Sequence, residues 1–497
     1  MLGESIAWVR RHKIATGAVV AAAALYGVLS IPEPAPQPPE SSEHLRFRWN
    51  QDDRWLGLEQ RFQQARAVGC DGLRESIDTR LQRGEQLLRQ VGTRRFPPDA
   101  PLFDSVEDNT FQLGPMIGAC FERLSAYIHL VTQTRSVVKR QSERWDMDAR
   151  VTKDRLYRLL WGGRAALEEV MLQGPAASVP ALVLGDDEPS ATPFARILGV
   201  TIHSGDLLVS RAGAASSALI AVGNDYPGNF SHVVIAYVDD KTSLATVVQS
   251  DEKGLHLSTL EEYLQAVKLR VMVLRLRADL PQVRADPMLP HKAAALVLAR
   301  ASSGHTPYDF EIDHRDDSKM YCSEVPAWAY GQVGVHLWME ISRISAPGTR
   351  AWLTDLGVKR FDTQEPSDLE YDPQLRVVAE WRDPHTLYLD HVDNVITEAL
   401  LEGAARGDRL RYAWYLLPVV RLLKGYSMLL NVAGETGPIP EGLSATVAAR
   451  VVTLERRHRA IKRRVLALAD EFRSRQGYTP PEWQLLSFAK HGRDELQ

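Results

Sequence analysis

The stretch Gly174-Pro175-Ala176-Ala177-Ser178-Val179-Pro180 separates two kinds of hydrophobic repeat, and that change of period is the strongest constraint on the fold. Before it, Leu156, Leu159, Leu160, Leu167, Val170 and Met171 recur at steps of three, four and seven, which predicts one apolar stripe on a polar helix. The same mixture runs through 73–91 and 121–138, with Phe96-Pro97-Pro98-Asp99-Ala100-Pro101 as a loop between them, so residues 46–174 read as packed amphipathic helices. Past the break, short β-type runs appear at Asp206–Ser210, His232–Val238, Ala245–Gln249 and Val271–Leu276, bounded by turns such as Asp239-Asp240-Lys241. Leu260–Val267 and His291–Ser302 read as helices among them. This compact α+β unit, residues 190–345, precedes a turn-rich connection, Ser342 to Pro384, after which helical periodicity fills 385–497. A chain of 497 residues exceeds what one hydrophobic core serves, and 44% apolar with 25% charged residues is a globular balance. No internal repeat is visible.

At the N-terminus, Ile14 to Ile31 is an uncharged run preceded by Arg10, Arg11, His12 and Lys13 and followed by Pro32-Glu33-Pro34-Ala35-Pro36-Gln37-Pro38-Pro39. Eighteen helical residues rise about 27 Å, close to the roughly 30 Å of a bilayer core. The sequence therefore predicts an N-terminal membrane anchor (1–31) on a proline-rich linker (32–45), with the basic end in the cytoplasm and the bulk of the chain outside it. The implied location is the inner membrane, with the α+β unit in the periplasm or another extracytoplasmic space. No clear small-x-small cleavage site precedes the prolines. Tyr412 to Leu430 is also rich in apolar residues, but Pro418, Arg421 and Lys424 interrupt it, which predicts a buried or interfacial helix rather than a second span. The basic face at Arg456, Arg457, His458, Arg459, Lys462, Arg463 and Arg464 reads as a solvated face paired with acids, ahead of a site for anionic phosphates or lipid headgroups. A net charge of −4 argues against a dedicated nucleic-acid binder.

The three cysteines, Cys70, Cys120 and Cys322, form no disulfide framework or zinc spacing. Cys70 and Cys120 can pair in an oxidising compartment, which leaves Cys322 free. Cys322 stands in Tyr321-Cys322-Ser323-Glu324-Val325-Pro326-Ala327-Trp328, at the expected mouth of a helix running to about Gln332, where free N–H groups and the helix dipole favour a thiolate. A nucleophilic thiol needs a base, and the base needs a group to hold its tautomer. His232 opens a strongly apolar strand, so its imidazole belongs at the sheet's rim. The Asp239-Asp240-Lys241 turn returns the next strand beside it, bringing Gln249 or Asp251 within reach. His203, His256, His305 and His314 show no metal-ligand spacing, and the cluster of His385 and His391 with Asp390 and Asp393 is the one metal arrangement the sequence suggests. No cofactor motif occurs.

Taken in order, Gly205-Asp206-Leu207-Leu208, Ser231-His232-Val233 opening a strand, a polar residue ending the next strand, Tyr308-Asp309-Phe310 and Tyr321-Cys322-Ser323-Glu324 resemble the permuted papain-like cysteine hydrolases, the YiiX-like branch of the NlpC superfamily. The resemblance covers about 195–340. It implies a permuted papain-like (NlpC-type) catalytic domain between large N- and C-terminal helical regions. It further implies a Cys–His–polar triad that cleaves an amide, ester or thioester through an acyl-enzyme, with Cys322 as nucleophile and His232 as base. The third place falls on Gln249, where relatives often carry a carboxylate, with Asp251 as its substitute. Pro326 is a second departure, since relatives tend to carry an ordinary helix former there. The implied substrates are envelope-borne, peptidoglycan peptides or acylated lipids and lipoproteins. The contrasting reading is an inactive papain-like module that binds or scaffolds at the envelope.

Overall fold

The computed structural model describes residues 16, 19–33, 47, 57–338 and 342–496. Residues 19–29 are helical and exposed along 19–28, but residues 1–15, 17 and 18 of the expected anchor and 34–45 of the linker lie outside the described residues. Among the described residues, no helix is long and apolar enough to cross a membrane.

The N-terminal part is a bundle of α1 (Leu58–Val68), α2 (Cys70–Gly92), α3 (Pro101–Ala119), α4 (Leu124–Ser142) and α5 (Arg150–Leu156), the last passing through a π turn at Tyr157–Gly162 into α6 (Gly163–Met171). Pro101 occupies the first position of α3, where a missing N–H costs nothing because that group has no partner within the helix. The stripes face inward, so that Ile77, Val91, Phe103, Leu113, Ile117, Tyr127 and Leu167 share one core. Cys70 at the start of α2 and Cys120 just past α3 form a disulfide, and Cys322 is the free cysteine.

Then come β1 (Leu182–Leu184), β2 (Phe194–Ile197), β3 (Val200–His203), β4 (Leu207–Arg211), α7 (Ala215–Val222), β5 (His232–Val238), β6 (Ala245–Asp251), β7 (Gly254–Thr259), α8 (Leu260–Gln265), β8 (Arg270–Leu276), α9 (Pro281–Ala285), α10 (Leu289–Ser303) and α11 (Glu324–Gly331). A two-stranded pair, β9 (Ser342–Arg343) and β10 (Asp362–Thr363), brackets α12 (Pro347–Asp355). After α13 (Asp368–Tyr371) and β11 (Leu375–Trp381), the chain closes with α14 (Pro384–Ala405), α15 (Leu417–Val432), α16 (Ala445–Gln476) and α17 (Glu482–Asp494).

The main sheet has the order β1-β11-β8-β4-β5-β6-β7, antiparallel throughout. One face (Leu207, Val209, Val233, Ile235, Val248, Met272, Leu274) packs on α10 and α11 through Ala293, Ala294, Val297, Val325 and Ala329. The other face (Leu208, Val234, Ala236, Val247, Val273) packs on α8 and β3. The stretch read from sequence as a turn-rich connection contains an interior strand of the main sheet, β11. Its apolar core, Val377-Val378-Ala379, is short and flanked by Arg376, Glu380 and Arg382, which gives it a loop-like composition.

Those flanking charges are buried. Arg270 on β8 gives two hydrogen bonds to the Glu168 carboxylate of α6, both at 2.9 Å, and lies 2.7 Å from Asp390 of α14. Arg382 reaches Glu168 at 3.2 Å, Arg135 of α4 reaches Glu380 at 3.3 Å, and Arg211 of β4 reaches Asp390 at 3.2 Å. A charge out of water survives only when matched, and here bundle, sheet and C-terminal helices supply the matches to one another.

Candidate active site

Cys322 lies one turn ahead of α11, and the local sequence fixes that turn. The Glu324 N–H donates to the Tyr321 carbonyl at 3.1 Å, while the Glu324 carboxyl accepts from the Tyr321 N–H at 2.7 Å. Burial, reinforced by Asp309, pushes the Glu324 carboxyl up to about 9, so it is protonated at neutral pH. Pro326 is the third residue of α11, still within the turn whose N–H groups have no helical acceptor. The Ser250 hydroxyl, on β6, donates to the Met320 carbonyl at 2.6 Å and ties the cysteine segment to the sheet rim.

The approach to His232 is held as closely. The Ser367 hydroxyl accepts from the Phe230 N–H at 2.9 Å and donates to the Phe230 carbonyl at 3.0 Å. Arg164 donates to the Asn229 side chain at 2.8 Å. Arg211 donates to the Ser217 hydroxyl at 2.7 Å, and that hydroxyl is bonded to the hydroxyl of Ser231. His232 therefore opens β5 at a position fixed from the bundle, from α7 and from α13.

The polar partner of the His232 ring is set by reach. Ile235 pairs with Val248 across β5 and β6, a register that leaves Gln249 diagonal to the start of β5. The amide is long enough to close that gap, and Gln249 Oε1 lies 3.0 Å from His232 Nε2. Its other end, Nε2, donates to the Ser258 hydroxyl at 2.9 Å. With the amide so oriented, Oε1 accepts a proton carried on His232 Nε2, which leaves Nδ1 of the neutral ring with its lone pair. Asp251 instead belongs to the β6–β7 hairpin. It accepts from the Lys253 N–H at 2.9 Å and lies 3.6 Å from His256 Nδ1, and no hydrogen bond joins it to His232.

The sulfur lies beside the same strand opening. Cys322 Sγ is 3.9 Å from the Ser231 carbonyl oxygen, to which the thiol donates, and the backbone N–H of Val233 favours its thiolate. Those groups flank His232 on either side, although the thiol makes no hydrogen bond to the imidazole itself. Cys322 is only 4% exposed, and burial pushes its thiol up to about 12. Burial, together with the nearby Lys268, pulls His232 down to about 4, against the ordinary 6.5. At neutral pH the pair is a thiol and a neutral imidazole, not an ion pair.

Sequence reasoning did not single out Tyr263, Ser258 or Lys268. The Tyr263 ring lies 6.4 Å from the His232 ring, its hydroxyl donates to Ser210 at 2.8 Å, and Lys268 sits 4.5 Å over its face. Nothing in their spacing marked them, because they converge only through the return of α8 beside β4. The suggested metal cluster is not assembled. Asp390 is paired with Arg211 and Arg270, Asp393 lies 2.7 Å from Lys462, and His391 contacts Glu168 at 3.1 Å, not His385. His391 does lie among Glu169 and Glu482.

A histidine opening a strand, an amide acceptor on the next strand and a cysteine that follows both in sequence at a helix mouth thus meet at one end of the main sheet. Residues 201–379 match the family described as permuted papain-like amidase enzyme, YaeF/YiiX, C92 family. The match begins in β3 and ends in β11, so it takes in every strand of the main sheet except β1. It supports a cysteine hydrolase at the level of the family. No curated protein and no solved structure matches the chain.

Proposed function

We propose that the protein is an envelope cysteine hydrolase that opens an amide, ester or thioester bond through an acyl-enzyme on Cys322. The observation that carries the reading is the contact of the Cys322 thiol with the Ser231 carbonyl, one residue ahead of His232, with that ring's Nε2 held by Gln249. Attack requires the thiol to turn from the Ser231 carbonyl to His232 Nδ1, which takes its proton. Sulfur then bonds to the substrate carbonyl carbon, and His232 returns the proton to the leaving group. Water, activated by the same ring, releases the acyl group and restores the thiol. The backbone N–H of Cys322, ahead of α11, is the oxyanion donor. No cofactor is needed for these steps.

The residues 14–31 anchor the enzyme in the inner membrane, and the site works on the extracytoplasmic side. The Cys70–Cys120 disulfide supports that placement, because such bonds persist in oxidising compartments. Peptidoglycan peptides and acylated lipids or lipoproteins are the substrate classes that such a site would meet. Burial of the Cys322 sulfur favours the second reading, an inactive module that binds at the envelope.

One experiment separates them. Wild-type protein and the variants Cys322→Ala and His232→Ala are incubated with envelope extracts, and the peptide carrying residue 322 is analysed by mass spectrometry alongside the released products. The hydrolase reading expects an acyl adduct on Cys322 and new products from the wild type alone. Identical product profiles for all three proteins, with no adduct, leave the binding module.

A further inference from the structure

Helix α15 is built inside out for a soluble protein. Past the buried Leu417 and Pro418 at its start, its inward side carries Arg421, Lys424, Ser427 and Asn431 beside Val420 and Leu430, whereas its outward side carries Val419, Leu422, Leu423, Tyr426, Leu429 and Val432. Leu422 is 68% exposed, Leu429 72% and Val432 89%. Trp414 and Tyr415, in the turn just ahead, are exposed as well. A helix on a water-facing surface shows the opposite arrangement, with its apolar stripe on the core. The inward polar groups are engaged. Lys424 donates to the Pro440 carbonyl at 2.8 Å, and Ser427 donates to the Leu423 carbonyl and accepts from the Ile439 N–H.

Arg421 links this helix to the N-terminal segment. Its guanidinium donates to the carbonyls of Val28 at 3.3 Å, Leu29 at 2.8 Å and Ile31 at 2.7 Å. The last carbonyls of a helix have no partner within it and carry partial negative charge, so a cation there closes the end of the helical run 19–29. The Tyr26 hydroxyl donates to the Tyr415 carbonyl beside it. Val19, Val20, Leu25 and Val28 are exposed along that run, so its apolar surface and that of α15 join into one. A patch of this extent on a monomer marks an interaction site.

We propose that Trp414–Val432 lies in the interfacial layer of a lipid bilayer, alongside the N-terminal apolar run. The occupant follows from continuity. An uncharged stretch of this length behind a basic cluster partitions into lipid, and Arg421 straps its end to α15, so the apolar phase that takes one meets the other. Sixteen residues rise about 24 Å, too short to cross, and a helix with one apolar side lies in the plane of the interface. Trp414 and Tyr415 have the ring type that prefers the headgroup level. The chain leaving α15 leads back to the site, since Glu441 lies 2.7 Å from His305 and Gly442 packs against Phe310 and the Tyr308 carbonyl. The lipid-facing side thus adjoins the loop that carries Tyr308, a ring packed against the core that holds Cys322.

The test uses the full chain in a Cys322→Ser background, which leaves no other free thiol. An environment-sensitive fluorophore is placed through Leu422→Cys, Leu429→Cys or, as a control, Leu244→Cys in the exposed β5–β6 turn. The proteins are reconstituted with vesicles of phosphatidylethanolamine and phosphatidylglycerol that carry nitroxide-labelled acyl chains. Labels at 422 and 429 shift to the blue and are quenched by the lipid nitroxide, while the label at 244 does neither. Labels at 422 and 429 that stay water-like and unquenched on vesicle-bound protein overturn the proposal, as does protein that fails to bind vesicles. A blue shift that needs no lipid and grows with protein concentration also overturns it, in favour of a second copy of the chain. The readout is lipid contact, so it does not depend on the hydrolase reading.

Discussion

Replacing Gln249 by glutamate turns the neutral acceptor of the His232 ring into an anion without changing its length. The present acceptor oxygen is 3.0 Å from His232 Nε2. With the carboxylate charge centred about 4 Å from the ring, and an effective dielectric of about 20, the attraction to an imidazolium is about 4 kcal/mol. Burying the new carboxylate gives back part of that, leaving about 2 to 3 kcal/mol, or about two pH units on the ring. Its titration therefore rises from about 4 toward the ordinary histidine range. The Ser258 hydroxyl keeps its partner by turning to donate to the carboxylate. Ring-proton NMR follows the titration, with the His232 resonance assigned by its loss in His232→Gln. Alkylation of Cys322 near pH 7 should quicken in parallel, because a protonated ring favours the thiolate. A titration that moves by less than about half a pH unit, or moves down, would refute Gln249 as the ring's partner. Asp251→Asn is the matching control, and its effect should be smaller, since no hydrogen bond joins Asp251 to the ring.

Two other outcomes follow from the same contacts. Glu168→Ala leaves Arg270, Arg382 and His391 buried around a missing carboxylate, and should cost about 3 to 5 kcal/mol in guanidinium unfolding; a loss below about 1 kcal/mol would show that the network is not a structural joint. His232 titrates near 4 in the folded chain against 6.5 ordinarily, so the unfolded chain binds more protons between those values. Stability from the neutral ring is complete above pH 6.5 and lost as pH falls toward 4, by on the order of 2 kcal/mol because the ring is partly exposed. His232→Gln should flatten the fall of Tm over that range, and parallel Tm curves for the two proteins would contradict it.

The parts of the site that the sequence exposed are those written in local pattern. His232 stands at the start of an uninterrupted apolar strand, and Cys322 follows a polar turn ahead of an apolar helix, so each position could be read without its neighbours. Whether Gln249 or Asp251 faces the ring depended on the register of β5 against β6 and on a hairpin that draws Asp251 away, neither of which has a local signal. Strand β11 was hidden for a related reason. Its arginines and glutamate face Glu168, Arg135 and Glu143, partners more than two hundred residues away, and without those partners such residues read as solvated loop. The inverted face of α15 is half legible: composition predicts a buried or interfacial helix, but which side turns outward required the structure.

The buried ion network also bears on how this domain can be handled. The segment that matches the amidase family contributes Arg211, Arg270 and Glu370 to buried pairs, yet their partners Arg164, Glu168 and Asp390 come from outside it. Cut out at residues 201 and 379, the sheet would present naked arginines where the bundle and α14 now sit. This unit is therefore not a portable cassette. Its neighbours are part of its interior, and recombination, truncation or grafting that respects only the family boundary should yield insoluble chain.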